Sequence, residues 1–138
     1  FGAGVAIEDN RVFAQFAKAV IKQQDITLNT MGELSRSYCY TTDAVSAMLY
    51  IMLRGEAGEA YNVANEKSYI SICDMAKMVL HRFYPQGKLI FNLQEGLGFS
   101  PTTKLRLSTT KIEHLGWQAT FSLEEMFDRL IKHLKESM

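Results

Sequence analysis

The feature that most constrains the fold is a change of hydrophobic period within residues 36–52. The alternation through Tyr38 and Tyr40 is typical of a strand. Further on, four apolar residues recur at helical spacing: Val45, Met48, Leu49 and Met52. Thr41 and Asp43 stand where the period changes, and there a hydroxyl can accept from a first-turn amide while a carboxylate complements the helix dipole. The sequence therefore predicts a strand that runs directly into a capped helix.

Arg36 begins this strand, in a chain whose loops otherwise carry few positive charges. A guanidinium presents five N–H donors in a fixed fork. Neither the strand nor the helix cap needs such a group. We therefore expect Arg36 to have a partner.

Composition limits the class of protein. The 138 residues fit one domain, residues 1–138, and 47% apolar with 22% charged residues is typical of a soluble globular chain. Lys plus Arg and Asp plus Glu each number 15. Nucleic-acid binding depends on clustered positive charge, so this balance argues against a nucleic-acid partner.

The cysteines and the apolar runs predict the cellular compartment. Cys39 and Cys73 stand far apart, which suits reduced, buried thiols better than a disulfide framework or a metal motif. A leader with a basic segment and an apolar run is not evident, nor is an apolar stretch near ~18 residues. These patterns predict a cytoplasmic protein without a membrane partner.

The whole chain predicts five helices and four or five short strands, an α/β or α+β domain. Asp9 or Asn10 is expected to cap the first helix. Capping boxes are expected at Ser71 and Ser122, and a left-handed helix end at Gly116. The predicted helices cover 11–23, the segment after Thr42, the segment after Ser71, a short turn before Gly116, and the segment after Ser122. The predicted strands cover 25–28, 36–40, 60–63, 88–92 and the neighbourhood of 105–107.

Catalytic patterns are weak. The histidines at 81, 114 and 133 fall on predicted helices among charged residues, and Glu124 and Glu125 are explained by capping. The methionines at 48, 52, 75 and 126 are expected to fill core stripes. A Ser-x-x-x-Tyr-x-x-x-Lys pattern and a glycine-rich strand-to-helix turn are both missing, so this chain alone is not expected to hold a nicotinamide cofactor.

Six stretches, taken together and in order, resemble a known family: FGAGV, DNRVFAQFAKAV, RSYCYTTDAVSAMLYIML, GEAYNVAN, ISICDMAKMV and LSTTKIEHLGWQATFSLEEMF. They resemble the C-terminal half of extended short-chain dehydrogenases/reductases, and in particular the NAD-dependent epimerases, dehydratases and decarboxylases of nucleotide sugars. The resemblance runs over essentially the whole chain.

The resemblance implies a division of labour. In this family an N-terminal Rossmann domain binds NAD and carries the catalytic Tyr and Lys, while the C-terminal part holds the nucleoside diphosphate of the substrate. The chain is thus expected to lack the Rossmann half, to hold no catalytic residue, and to belong to a homodimeric full-length enzyme.

The same resemblance assigns site residues. Arg36 matches the arginine of an R-D/S-Y-x-x-V-x-D motif that contacts the diphosphate, although a local carboxylate such as Asp43 stays open as its partner. Asn10 matches a diphosphate contact, and Val12 and Phe13 match the lining of the nucleotide pocket. Thr27 to Asn29, which include Leu28, correspond to the strand that flanks the base, but the family's aromatic-glycine pair is missing there, so the identity of the base stays open.

One departure from the family concerns its second phosphate-binding arginine. Here the corresponding loop reads QEGLGFSPTTKLRLSTTK, without the R-P-G-D-like motif. Lys104 or Arg106 is expected to substitute.

These expectations describe a nucleotide-sugar-binding part of an isomerase, lyase or oxidoreductase. The alternative is a stand-alone binding or interaction module without redox activity. The sequence leaves open the sugar, the base and the reaction, whether epimerisation, dehydration, decarboxylation or reduction.

Overall fold

A computed structural model describes residues 1–94 and 103–137. In this part of the chain there are five helices: α1 (Val12–Ile21), α2 (Thr41–Arg54), α3 (Ile72–Phe83), α4 (Thr110–Glu113) and α5 (Leu123–Ser137). The same residues form five strands: β1 (Ile26–Leu28), β2 (Ser35–Tyr38), β3 (Asn65–Ser71), β4 (Leu89–Phe91) and β5 (Lys104–Leu105). Most of the loop predicted between β4 and β5, residues 95–102, lies outside the described residues.

The strands form two small sheets. β1 and β4 pair in parallel, with Ile26 opposite Leu89. In the second sheet β2 is central, antiparallel to β3 and parallel to β5. This mixed arrangement confirms the predicted α/β class.

The main core lies between α1, α3 and α5. Each of these helices turns one apolar stripe inward, as the 3.6-residue period predicts. The stripe of α1 consists of Phe13, Ala14, Phe16, Ala17 and Val20, and those of α3 and α5 include Met75, Val79, Met126, Phe127, Leu130 and Leu134. Met75 and Met126 therefore fill core positions, as predicted.

A second, smaller cluster joins α2 to α4. It consists of Ala47, Ile112 and Trp117. Gly116 has φ +96°, the left-handed conformation predicted for it. The turn at this glycine lets Trp117 fold back beside Ile112, and its indole Nε1–H donates to the Ser46 hydroxyl at 2.9 Å.

Two helix caps agree with the sequence. The Ser71 hydroxyl accepts from the amide of Asp74 at 3.0 Å. At the start of α5 the Ser122 hydroxyl accepts from the Glu125 amide, and the Glu125 carboxylate accepts from the Ser122 amide at 2.8 Å. The predicted capping box at Ser122 is thus confirmed in full, and at Ser71, where Asp74 makes only a close relative of the box, the predicted side-chain cap is confirmed.

Two other predicted caps are wrong. The N-cap of α1 is Arg11 without a side-chain bond, and Asp9 instead accepts from the amide and guanidinium of Arg11. The N-cap of α2 is Tyr40, also without a side-chain bond. Asp43 is turned inward, because its carboxylate bonds amides far along the chain.

The methionines at 48 and 52 do not fill the core, contrary to the prediction. They are exposed, together with Val45, Leu49 and Leu53 on the same helix. The predicted strand at residues 60–63 is also not formed, and the strand in this region is β3. A strand needs a hydrogen-bonding neighbour, and β3 has β2 beside it, whereas residues 60–63 have no neighbouring strand in the described part.

Among the described residues, no helix combines the length and the apolar character that crossing a membrane requires.

Asp43 is 3% exposed, and its carboxylate accepts from the amide of Thr120 at 3.0 Å, the hydroxyl of Thr120 at 2.6 Å and the amide of Phe121 at 3.2 Å. We expect Asp43→Ala to lower the free energy of unfolding by about 3 kcal/mol, because buried donors lose a charged acceptor. Urea denaturation measures this. Asp128→Ala, on the exposed face of α5, is the control and should change the value by less than about 1 kcal/mol. Similar losses of unfolding free energy in Asp43→Ala and Asp128→Ala would contradict the structural role assigned to the Asp43 carboxylate.

Cys39 follows β2 and is half-buried. Burial, with a smaller contribution from the Asp43 charge, raises the pKa of the Cys39 thiol to about 11. Only about one thiol in a thousand is then ionised at pH 8, so alkylation of Cys39 should be slow there and should accelerate towards pH 11. A Cys73→Ser chain isolates the signal for mass spectrometry, and the urea-unfolded chain is the control. Equal rates in the folded and unfolded chain at pH 8 would refute the expectation.

Candidate functional site

Arg36 lies in the middle of the three-stranded sheet. It stands opposite Ile70 of β3 and Leu105 of β5, and its side chain is exposed. Within residues 1–94 and 103–137 its guanidinium makes no ion pair and no hydrogen bond. The alternative partner Asp43 is bonded to residues 120 and 121 instead. An arginine held on a central strand without a protein partner can accept an anionic ligand.

Half-buried aromatic side chains of Phe1 and Tyr38 lie beside this strand and pack on the buried ring of Phe13. The ring of Phe1 stacks on Phe13 with centroids 4.4 Å apart, and it meets the edge of Tyr38 at 5.8 Å. Burial raises the pKa of the Tyr38 phenol, and the nearby charge of Arg36 opposes that shift. The rings therefore form a continuous path from Arg36 to the start of α1.

Arg11 closes the other end of this path, and sequence reasoning missed it. Its guanidinium lies 4.8 Å from the centroid of Phe13 and bonds the carboxylate of Asp9. That bond lowers the pKa of Asp9 to about 2. The sequence signal was the spacing of Asp9, Arg11 and Phe13. The carboxylate stands two residues before the arginine, and the arginine stands two residues before the aromatic ring.

The first turn of α1 offers backbone donors. The amides of Val12 and Phe13 have no hydrogen-bond partner among the described residues, and no side chain caps the helix. Val12 is half-buried, whereas Asn10 is exposed, with its backbone carbonyl accepting from the side-chain amide of Gln15. Free N–H groups at a helix N-terminus favour an anion.

The rings of Tyr38, Phe1 and Phe13 link β2, which carries Arg36, to the first turn of α1, which contains Val12 and follows Asn10. Leu28 and Asn29 lie elsewhere, at the end of β1 in the other sheet. The Leu28 side chain is buried in the core, and the Asn29 carbonyl accepts from the amide of Gln94.

Lys104 and Arg106 do not face the same way as Arg36. Leu105 is the residue opposite Arg36, so its neighbours point to the other face of the pleated sheet. Arg106 lies there over the ring of Tyr69 at 5.7 Å, and its guanidinium is 3.9 Å from the carboxylate of Glu66. This placement does not bring either residue beside Arg36 as a second cation.

Ser37, next to Arg36 on β2, carries a buried polar side-chain atom. Its Oγ is the buried side-chain oxygen or nitrogen that lacks a partner in the part of the chain the structure describes. The hydroxyl follows Arg36 directly on β2. It is available to a water or to a bound oxygen atom.

The described residues do not fit a dinucleotide. The connections from β2 to α2, from β3 to α3 and from β5 to α4 contain no glycine, whereas a pyrophosphate needs close backbone approach at such a turn. In these residues no group of three His, Cys, Asp or Glu side chains could hold a metal ion. Arg36 and the first-turn amides of α1 are groups that can bind and orient an anionic ligand.

Comparison with known proteins supports this picture. The family model described as "NAD dependent epimerase/dehydratase family" matches residues 1–64. UDP-glucuronic acid decarboxylase 4 of Arabidopsis thaliana is 23% identical over 99% of this chain and 30% of its own length. The human dTDP-D-glucose 4,6-dehydratase is 23% identical over 92% of this chain and 37% of its own.

A solved structure with a similar fold is also that of an epimerase. The crystal structure of a UDP-glucose 4-epimerase with UDP-glucose, from Thermotoga maritima, superposes with a TM-score of 0.82 at 21% identity, and the match covers 99% of this chain and 43% of that one. The chain thus spans about a third of the curated relatives. The family model over residues 1–64, the relatives over nearly the whole chain and the shared fold confirm that this chain resembles the NAD-dependent epimerase/dehydratase family.

Proposed function

We propose that this chain binds the nucleoside diphosphate of a nucleotide-sugar substrate for an NAD-dependent enzyme whose catalytic half precedes residue 1. The observation that carries the proposal is Arg36, an exposed guanidinium on a central strand that no described group pairs. A guanidinium fork matches the oxygens of a phosphate, and each charge-assisted bond contributes about 1.5–3 kcal/mol.

The surroundings of Arg36 suit the rest of such a ligand. Next to it the half-buried rings of Tyr38 and Phe1 form an apolar wall that the buried ring of Phe13 supports, and beyond that wall the unpaired amides of α1 offer donors. A diphosphate needs cationic and N–H donors, and a nucleoside needs an apolar surface. We assign Asn10 and Val12, at the start of α1, to the place where the two requirements meet.

Binding at this site contributes to the reaction indirectly. Contacts to the nucleotide, which does not react, fix the sugar relative to the catalytic groups and so lower the barrier of the chemical step. NAD, held by the preceding half, supplies hydride transfer. The described residues of this chain bind and orient the substrate, and the reaction type and the homodimer are properties we assign to the full-length enzyme.

The first test of this proposal replaces Arg36. In the full-length enzyme, Arg36→Ala should weaken binding of UDP at least tenfold in calorimetry, because the phosphate loses its paired donors. Arg36→Lys keeps the charge but not the paired donors, so its affinity for UDP should lie between those of the unchanged enzyme and of Arg36→Ala. Arg82→Ala is the control, because Arg82 lies on α3 at 3.5 Å from Asp128 and should leave affinity unchanged. Unchanged affinity in Arg36→Ala would remove the basis of the proposal.

The second test concerns activity. The 138-residue chain, incubated with NAD and UDP-glucose, UDP-glucuronic acid or dTDP-glucose, should give no product, because its described residues contain no dinucleotide turn, and the Tyr-x-x-x-Lys spacing from Tyr84 to Lys88 lies in the turn after α3 and not on a helix. Chromatography of the sugar nucleotides measures this, with the full-length enzyme as positive control. NAD-dependent turnover by the chain alone would show that the division of labour is wrong. Binding of UDP without any longer active form would instead favour the stand-alone module.

A further inference from the structure

Lys18 holds the loop that precedes α1. Its ammonium group donates to the carbonyl of Ile7 at 3.1 Å and to the carbonyl of Asp9 at 2.7 Å. The side chain begins in the second turn of α1 and is half-buried, and it makes no ion pair within residues 1–94 and 103–137. A lysine normally keeps its ammonium group in water, whereas here two carbonyls replace part of that water. One side chain of α1 therefore fixes the loop against the helix.

A second side chain of the same helix holds the next peptide group. The side-chain amide of Gln15 donates to the backbone carbonyl of Asn10. In the same peptide group the amide of Arg11 donates to the Asp9 carboxylate at 2.9 Å. Both peptide groups that flank the α-carbon of Asn10 are thus bonded, the preceding one through the Asp9 carbonyl. Because a peptide group is planar, fixing both planes fixes φ and ψ of Asn10.

The fixed backbone belongs to a residue that we assign to the diphosphate. Asn10 is exposed, and the amides of Val12 and Phe13, which follow it closely, have no hydrogen-bond partner among the described residues. A flexible loop has to be ordered when a ligand binds, and the entropy lost in that ordering lowers the affinity. In this chain Lys18 and Gln15 order the loop before any ligand is bound.

We propose that Lys18 is a positioning residue for the substrate site: by holding the carbonyls of Ile7 and Asp9, it orients Asn10 and the first-turn amides of α1 towards the diphosphate. This role rests on the proposed function, because it takes Asn10 and these amides as contacts of the ligand. Lys18 acts through the loop and not by touching the ligand, since two of its three donors are used by loop carbonyls.

The first test measures the affinity of the full-length enzyme for UDP by calorimetry. Lys18→Met keeps a long unbranched side chain and removes its donors. We expect it to weaken UDP binding about tenfold, because the backbone of roughly one residue then has to be ordered on binding. Lys18→Arg keeps donors for the carbonyls, so its affinity should lie closer to that of the unchanged enzyme than to that of Lys18→Met.

The matched control for Lys18→Met is Lys22→Met. Lys22 is exposed at the C-terminal end of α1, so this substitution removes the same charge from the same helix without touching the loop. It should leave the affinity for UDP unchanged. Unchanged affinity in Lys18→Met would overturn the positioning role, and so would an equal loss in the two variants.

A double-mutant cycle separates positioning from a general effect of charge or stability. In an enzyme that already carries Asn10→Ala, Lys18→Met should weaken UDP binding by less than about threefold, because the residue that Lys18 orients has lost its contact. A general effect would instead give additive losses of binding free energy. Additive losses would therefore overturn the positioning role.

Hydrogen exchange tests the hold on the loop without any ligand. In the full-length enzyme the amide of Arg11 should exchange about tenfold faster in Lys18→Met than in Lys22→Met, because the loop leaves the helix more often. Equal exchange would overturn the positioning role and leave the proposed function intact. Unchanged UDP affinity in Arg36→Ala would instead remove the proposed function, and the positioning role with it, so the two failures are distinguishable.

Discussion

The buried carboxylate of Asp43 is the interaction on which much of this structure depends. It lies in the first turn of α2, and it accepts from the backbone of the segment that leads into α5. In the same turn the Asp43 carbonyl accepts from the indole of Trp117. One residue therefore ties the junction of β2 and α2 to both core clusters. Burying a carboxylate is costly unless its lone pairs are satisfied, and here three donors satisfy them.

This tie determines what Arg36 can do. Because Asp43 is fully occupied within the core, it does not neutralise the arginine seven residues earlier, and β2 is held between β3 and β5. The strand thus presents a cation on a rigid element, which favours precise placement of a ligand over adaptation. Such a rigid element suits the proposed division, in which binding and chemistry are assigned to different halves of a longer protein.

Sequence reasoning succeeded where local rules decide the outcome. The capping boxes at Ser71 and Ser122 and the left-handed Gly116 depend on neighbours within four residues, and the structure confirms them. The stripes of α1, α3 and α5 were also predictable, because each pairs an apolar face with a charged one. The same reasoning failed for Met48, Met52 and the 60–63 segment. Periodicity shows which face of an element is apolar but not which part of the protein covers it.

The features of the candidate site also divide into those that local sequence determines and those that depend on the tertiary structure. The sequence by itself determined that Arg36 begins a strand, that an aromatic helix follows the glycine-spaced start, and that a family resemblance links the two. Only the tertiary structure decided that Arg36 is unpaired among the described residues, that Phe1 and Tyr38 connect its strand to α1, and that Lys104 and Arg106 point to the other face. The reason is physical: strand register and long-range hydrogen bonds fix which side chains share a surface, and neither is encoded within a few residues of the chain.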